Sequence, residues 1–442
     1  MQVNFHKIAT EITDRAIAAV DPYKLLIDQV ALVRNRLTIK NIFSFDLDQF
    51  ETIKLIGFGK GVAPMAAAME EILDKRYSKG KIVVKYGHSL PLKKTEVFEA
   101  SHPIPDANTL AATANILNFV DSLKEKDLVI VVISGGGSAL FELLPRSIKL
   151  SDLDTLSRLL LASGANIGEI NIIRKHISLV KGGRLAQKIA PANCICLILS
   201  DVIGDPVASI SSGPTAPDPS TFDDAIEIVH RYKLESKIPK CILDYLQDGC
   251  DGKIPDTPKG NETLFERVHN IVVGNNRLAL EKAKTVAEKH KLTTLLLTDR
   301  MEGEAREIAK FISAMIKSAL RSGIPAASPG CVLMGGESIV KISGKGKGGR
   351  KQELALAVLD SMRDFDGPFY FSSIGTDGTD GPTDAAGAWI DHNSFRKAMS
   401  LNLNPNEYLE DNDAYHFFEK LGQLIKTGPT RTNVMDLAFF LI

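Results

Sequence analysis

Cysteine is scarce in this chain of 442 residues: five are spread over positions 194, 196, 241, 250 and 331, an odd number without the paired C-x-x-C spacing of zinc sites. They read as buried thiols in a reducing compartment, which points to a cytoplasmic location. No apolar run approaches the roughly 20 residues a membrane helix needs, so no membrane partner is expected. An excess of charge is missing too. The 53 basic and 54 acidic residues leave a net charge of −1, and without a global field neither nucleic acid nor an anionic membrane is favoured. The first 20 residues lack the acid-poor character of a transit peptide, because Glu11 and Asp14 lie among helically spaced Ile8, Ile12 and Ile17. That spacing predicts an amphipathic surface helix over 1–20. Apolar residues make up 44% and charged residues 24% of the chain, enough for about two to three domains with real cores.

The strongest local signal is Leu128–Leu140, LVIVVISGGGSAL. Its Val- and Ile-rich run reads as a buried parallel strand closed by a tight loop. Ser134, Gly135, Gly136, Gly137 and Ser138 would leave backbone N–H groups unscreened beside two hydroxyls. That makes a candidate phosphate or carboxylate cradle at the carboxyl end of a strand, with a plain turn as the alternative. Upstream, Thr52–Ile56 leads into GFGKGVAPMAAAMEEIL, a glycine turn opening a helix, where Lys60 adds a mobile charge for phosphate. The spacing there is not that of a Walker A loop. Lys81–Lys85 gives a further strand. In SHPIPDANT, Asp106 or Asn108 suits the cap of a helix starting near Thr109, and His102 reads as a loop hydrogen-bonder more readily than as a catalyst.

Between Gly164 and Ala186 lie Arg174, Lys175, His176, Lys181 and Arg184. On one helix Arg174 and Lys181 would share a face, and with Arg184 they would suit an anionic substrate; the alternative is a solvated basic face. A following buried strand ends in Asp201, with Asp205 four residues on and the Ser212–Thr215 loop beyond. Carboxylates so placed can handle Mg²⁺ or a hydroxyl proton, although Asp205 before Pro206 also suits a helix cap.

Residues 230–266 turn polar and read as a linker. A second α/β series follows, in which Asn275 at the end of HNIVVGNN is a candidate nucleotide contact. GGESIVKISGKGKGGRKQELALAVL contains Glu337 and a loop of Gly344, Gly346, Gly348 and Gly349, in which 344, 346 and 349 satisfy G-x-G-x-x-G. Lys345, Lys347, Arg350 and Lys351 suit a triphosphate better than a dinucleotide bridge. In SSIGTDGTDGPTDAAG, Asp377, Asp380 and Asp384 are candidates for a Mg²⁺ or nucleotide contact, with turn stabilisation as the alternative.

SGGGSAL, INIIRKHISLVKGGRLA and SDVIGDPVASISSGPTAPDPSTF together resemble the class II glycerate kinase family, whose second domain is often called MOFRL. The resemblance extends over nearly the whole chain. It implies ATP-dependent phosphorylation of D-glycerate to 2-phosphoglycerate, with Lys60 and Arg350 at the positions of the family's active-site cations. The family usually has Asn where this chain has Lys351.

The expected architecture is two Rossmann-like α/β domains, 1–260 and 261–442, each with a largely parallel sheet, and an active-site cleft between them. ATP and Mg²⁺ are the expected cofactor set. Lys60 and Arg350 would stabilise the transferring phosphoryl group, Asp201 or Asp205 would hold the metal or orient the hydroxyl, and Arg174, Lys181 or Arg184 would bind the carboxylate. Asn275, Glu337, Asp377 and Asp380 would contact the nucleotide. An NAD(P)-dependent hydroxypyruvate reductase using the Gly344 loop is the alternative. The partners are small molecules, and a homodimer is left open.

Overall fold

Two apolar runs, Asp127–Ile133 and Asp436–Leu441, are fully buried strands, and each lies inside its own six-stranded sheet. They belong to two separate units of a computed structural model that describes residues 4–442. Residues 1–3 of the expected N-terminal helix lie outside the described residues. One unit is Pro22–Val273; the other is Gly274–Ile442 joined by the N-terminal segment up to Asp21.

The first unit opens with a small antiparallel sheet of β1 (Val30–Val33), β2 (Arg36–Ile39) and β3 (Phe43–Asp46). Its main sheet contains β4 (Thr52–Phe58), β5 (Lys79–Lys85), β6 (Thr95–Ala100), β7 (Asp127–Ile133), β8 (Asn193–Leu199) and β9 (Val268–Gly274), in the order β6-β5-β4-β7-β8-β9. β5 runs parallel to β4 and β6, and β7 runs parallel to β4 and β8. The chain therefore builds outwards from β4 in one direction and then returns to place β7 on its other side. That reversal is a topological switch point, where loops at the carboxyl ends of adjacent strands diverge and leave room for a ligand. The helix Val62–Leu73 lies close to the sheet because its buried face is built from small residues, Ala63, Ala66 and Ala68, with Met65 and Met69 filling the gaps. Asp106 caps the helix Ala107–Phe119 by accepting from the Thr109 amide at 2.9 Å, as the sequence predicts.

A second core in this unit is wholly helical. Leu153, Leu156, Leu160, Ile173, Phe222, Ile228, Ile242 and Leu246 bring together the helices Leu150–Ser163, Ile167–His176, Phe222–Arg231 and Lys240–Cys250. The last of these occupies the stretch expected to be a linker. Ile242 and Leu246, four residues apart, give it a buried stripe that outweighs its polar composition. The division of the chain accordingly falls after Val273, at the end of β9, instead of after 260.

In the second unit the strands β10 (Thr293–Glu304), β11 (Gly330–Ile339), β12 (Tyr370–Gly375), β13 (Gly387–Asp391), β14 (Leu424–Ile425) and β15 (Asp436–Leu441) are ordered β10-β11-β15-β12-β13-β14. The α/β class holds, but this sheet is mixed where a largely parallel one was expected. Only β10 and β11 pair in parallel; β15 inserts antiparallel between β11 and β12, and β13 pairs antiparallel with β12 and β14. The helix Phe5–Ala19 packs on the helix Asn276–Lys289, so the amphipathic N-terminal segment completes this unit. No helix among the described residues is long and apolar enough to cross a membrane.

Candidate active site

The loops after β4 and β7 interlock at the switch point. Lys60 N–H donates to the Gly135 carbonyl at 2.9 Å, and Gly61 N–H donates to Ser134 Oγ at 2.8 Å. Gly59, at φ +135°, has to lack a side chain: a Cβ there would lie 2.5 Å from the Ser134 carbonyl oxygen. Gly136, at φ +85°, is enclosed by two functional side chains, since a Cβ there would lie 3.1 Å from His102 Nε2 and 3.2 Å from Lys60 Cγ. No hydrogen bond among the described residues uses the amides of Gly135, Gly136, Gly137 or Ser138. Four unused N–H groups in sequence beside a lysine form a cradle for an anion. The plain-turn alternative leaves those donors unexplained.

Ser138 Oγ lies 2.9 Å from Ser212 Oγ, which donates to Asn171 Oδ1 at 3.3 Å. Arg174 follows Asn171 by three residues on the helix Ile167–His176, so the two side chains project from neighbouring positions of one face. Among the described residues Arg174 makes no hydrogen bond or ion pair, and its Nε is buried. A guanidinium left unmatched one helical turn from the residue that holds Ser212 is suited to a carboxylate.

Lys181 and Arg184, expected to join Arg174, do other things. The helix ends at His176, so Lys181 shares no helical face with Arg174. Its ammonium is fully buried, 2.8 Å from Glu142 Oε2, and donates to the Phe141 carbonyl at 3.0 Å. Burial lowers its pKa against the opposing pull of Glu142. Ser178 also donates to Glu142, so the group braces the segment that follows the glycine loop. The amides of Gly182 and Gly183 donate to the carbonyls of Ser212 (3.0 Å) and Gly213 (2.8 Å), and Arg184 donates to the Pro255 carbonyl at 3.3 Å. This K-G-G-R stretch is a clamp that holds Ser212 in place.

Asp201 stands just beyond β8, whose end is in register with that of β7, and Asp205 lies in the next turn at φ +55°. Asp205 caps no α-helix: Pro206 begins a turn closed by Ser209 and Ile210 amides at 2.7 and 3.1 Å. Both carboxylates are partly exposed. No group of three or more His, Cys, Asp or Glu residues among those described could hold a metal ion. A pair of hard oxygen donors at a strand end still fits Mg²⁺, which takes one or two carboxylates and completes its shell with water and phosphate.

The second unit departs furthest from expectation. The first four amides of its G-x-G-x-x-G loop are taken. Ser343 and Gly344 donate to Asn412 Oδ1 (2.8 and 2.9 Å), Lys345 to Asp411 Oδ1 (2.8 Å), Gly346 to the Asp411 carbonyl (2.8 Å) and Lys347 to Asp413 Oδ1 (2.9 Å). Gly344 and Gly346 have no room for a side chain because the 411–413 turn lies against them, and a Cβ at either position would collide with the Asp411 carbonyl oxygen. Gly348 and Gly349 pack on Ala414 and Asp380. Gly344 and Gly346 thus serve packing, and the loop amides that no hydrogen bond among the described residues uses are those of Gly348, Gly349 and Arg350.

The N-terminus of the helix Arg350–Ser361 is occupied as well. Asp380 accepts from the amides of Lys351 (3.2 Å) and Gln352 (2.8 Å), so the candidate nucleotide contact is a helix cap. Asp377 accepts from Thr379 N–H at 3.0 Å within its own turn, Asp384 accepts from Tyr415 Oη (2.7 Å) and Lys426 Nζ (2.8 Å), and Asn275 caps the helix Asn276–Lys289 through Leu278 N–H at 3.1 Å. Arg350 is held in a fork by Asp436, with Nε–Oδ2 2.7 Å and Nη2–Oδ1 3.0 Å, and also donates to Glu337. Burial alone would lower its pKa, but Asp436 and Glu337 raise it overall. Lys351 is buried, 3.4 Å from Asp436 and 3.7 Å from Asp380, and donates to the Thr379 carbonyl at 3.0 Å. Asp436, which ties the two cations together, carried no motif signal in the sequence; a lone acid at the start of a closing apolar strand was its only mark. Asn171 and Glu142 carried no signal either, because each acts through tertiary contact, with Ser212 and with Lys181; His102 and the Ser212–Thr215 loop were noticed in the sequence, His102 as a loop hydrogen-bonder more readily than as a catalyst.

Residues 8–247 match a family described as a domain of unknown function (DUF4147), and residues 330–436 match the MOFRL family. The chain is 38% identical to a D-glycerate 2-kinase of Thermotoga maritima, over 99% of this chain and 98% of that protein. It is 36% identical to a putative hydroxypyruvate reductase of Agrobacterium vitis, over 100% of this chain and 95% of that one. The crystal structure of glycerate kinase from Thermotoga maritima superposes with a TM-score of 0.86 at 38% identity, covering 99% of both chains.

Proposed function

Because the chain belongs to the MOFRL-containing glycerate kinase family, we propose that it transfers the γ-phosphoryl group of ATP to the 2-hydroxyl of D-glycerate, releasing 2-phosphoglycerate and ADP. The observation that carries this reading is the anion cradle at the β4/β7 switch point, four unused amides flanked by Lys60 and linked through Ser138, Ser212 and Asn171 to the helix that carries the unmatched Arg174.

Each residue then has a chemical task. The carboxylate of glycerate is assigned to Arg174, with Ser138 and Ser212 orienting it, which leaves the substrate hydroxyl free to react. Lys60 and the Gly135–Ser138 amides stabilise negative charge on the transferred group, and Arg350 contributes a second fixed cation. Its fork on Asp436 and Glu337 holds the guanidinium in one orientation before substrate arrives, which avoids ordering it during the reaction. Lys345 and Lys347, whose amides are committed, offer only their side chains to the nucleotide phosphates. Asp201 and Asp205 would hold Mg²⁺, which supplies charge neutralisation to the triphosphate. The five free thiols support a reducing, cytoplasmic setting.

The test is ADP release by purified protein given MgATP and D-glycerate, with product passed directly to enolase. Immediate enolase turnover is expected. Turnover that waits for added phosphoglycerate mutase would move the reaction to the 3-hydroxyl, and no ADP release from folded protein would end the kinase reading.

A further inference from the structure

His102 is a ring at the glycine loop that the reading above leaves without a task. It follows β6, yet its imidazole reaches across to Gly136, where Cδ2 and Nε2 stand 2.9 and 3.1 Å from the position a Cβ would take. Lys60 Cγ meets that same point at 3.2 Å. Among the described residues neither ring nitrogen of His102 has a hydrogen-bond or ion-pair partner, although the ring is partly buried. A half-buried imidazole whose nitrogens have no protein partner keeps a lone pair available to a ligand that enters the loop. A structural histidine in the same chain shows the contrast: His176 is buried and satisfied on both sides, by the Ile172 carbonyl at 2.8 Å and Asp256 at 3.0 Å.

We propose that His102 is the proton acceptor of the reaction. This rests on the kinase reading and deepens it. With the glycerate carboxylate on Arg174 and Ser138, the reacting hydroxyl lies over Gly136 and donates to His102 Nε2. As the hydroxyl oxygen forms its bond to the γ-phosphorus, the bond from that phosphorus to the β,γ-bridging oxygen breaks and ADP leaves with the electron pair. The O–H bond breaks late, and its proton passes to the Nε2 lone pair, leaving an imidazolium that later loses the proton to solvent. The lysine beside it cannot do this work while it is charged, and the three atoms nearest a Cβ at Gly136 all belong to His102 and Lys60.

The electrostatics keep the ring ready. Burial first, then the charges of Lys60, Lys85 and His88, hold the His102 pKa down to about 4. The imidazole is therefore neutral, and able to accept, throughout the physiological range. Those same neighbours, from the ends of β4 and β5, are the charged groups that face it. An anionic substrate and triphosphate offset them, so the pKa rises in the loaded enzyme and the ring becomes a better base when the hydroxyl is in place.

The experiment compares wild type with His102→Gln, whose amide keeps a hydrogen-bonding group near Nε2 but cannot take the proton. Expected are a kcat lower by about a hundredfold, a D-glycerate KM within threefold, and loss of the acid limb of the kcat profile. A variant with kcat within threefold of wild type and an unchanged acid limb overturns the proposal while leaving the kinase intact. Wild type that releases no ADP overturns both. Should the variant fail to fold, wild type is treated with diethylpyrocarbonate and its adducts mapped by mass spectrometry. Activity lost in step with His102 modification, and protected by D-glycerate, supports the assignment; full activity with His102 modified refutes it.

Discussion

Asp380 Oδ2 accepts from both the backbone amide and the side-chain amide of Gln352, at 2.8 and 2.9 Å, while its other oxygen accepts from Lys351 N–H. A carboxylate that looked like a nucleotide ligand is thus the N-terminal cap of the helix that carries Arg350. The cap sets where that helix begins, and so where the guanidinium is presented.

Replacing it tests the point. In Asp380→Asn, one of the two oxygens becomes an N–H₂ group facing amide donors, and Lys351 loses one of its two carboxylates. Asp380 is 1% exposed, so water cannot compensate. The loss should be about 2–4 kcal/mol of stability, read as a lower urea midpoint. An unchanged midpoint would mean the cap carries no energetic weight.

Arg350→Lys keeps a charge but cannot span Asp436 and Glu337 together. Turnover should fall by about a hundredfold or more, with the D-glycerate KM little changed, because the cation acts on the transferred group and not on the carboxylate. Arg350→Ala should also unfold more readily, since Asp436, 2% exposed, would be left with Lys351 alone. Steady-state kinetics on both variants, with urea unfolding alongside, separate the two effects; a lysine variant of wild-type rate would remove Arg350 from catalysis.

Arg174 and Lys181 are expected to part company. Arg174→Met removes a cation with no partner among the described residues, so stability should hold while the D-glycerate KM rises by about ten- to a hundredfold and the ATP KM stays put. Lys181→Met strands Glu142, 1% exposed, in the core and should cost about 3–5 kcal/mol, with the KM of the surviving folded enzyme unaltered. If the effects are exchanged, with KM rising in the lysine variant, Lys181 returns to the substrate site.

These pairs also mark what could be read before the fold was known. The Gly59–Gly61 turn and the Ser134–Ser138 loop were legible because each closes an apolar strand, and strand ends are where a parallel sheet presents its ligands. The Asp106 cap was legible for the same local reason. Arg174 and Lys181 were grouped by helical spacing, which failed because the helix stops at His176 and the next residues turn through Ser178. The second unit was harder. Nothing near Gly344 in the chain announces that Asp411, Asn412 and Asp413 will take its amides, since that pairing exists only after β11 and the helix Ala414–Leu421 have packed in place.

The same occupied amides bear on the dinucleotide alternative. A nicotinamide cofactor is gripped through the bare N–H groups of a G-x-G-x-x-G turn and the helix N-terminus behind it. Here Asn412 Oδ1 holds the Ser343 and Gly344 amides, Asp411 and Asp413 hold those of Lys345, Gly346 and Lys347, and Asp380 caps the helix. A pyrophosphate would have to displace three carboxylates and an amide that are already hydrogen-bonded, and it would meet their negative charge on the way in. NADH should therefore leave the thermal midpoint and its own fluorescence unchanged on mixing, whereas MgATP should raise the midpoint, since a ligand at about a hundred times its Kd adds about 2.7 kcal/mol to the folded state. The side-chain cations Lys345, Lys347 and Arg350 need no amide to hold a triphosphate, which is why the two cofactors should divide. A midpoint raised by NADH and not by MgATP would reverse the assignment and show that the 411–413 turn gives way to the cofactor.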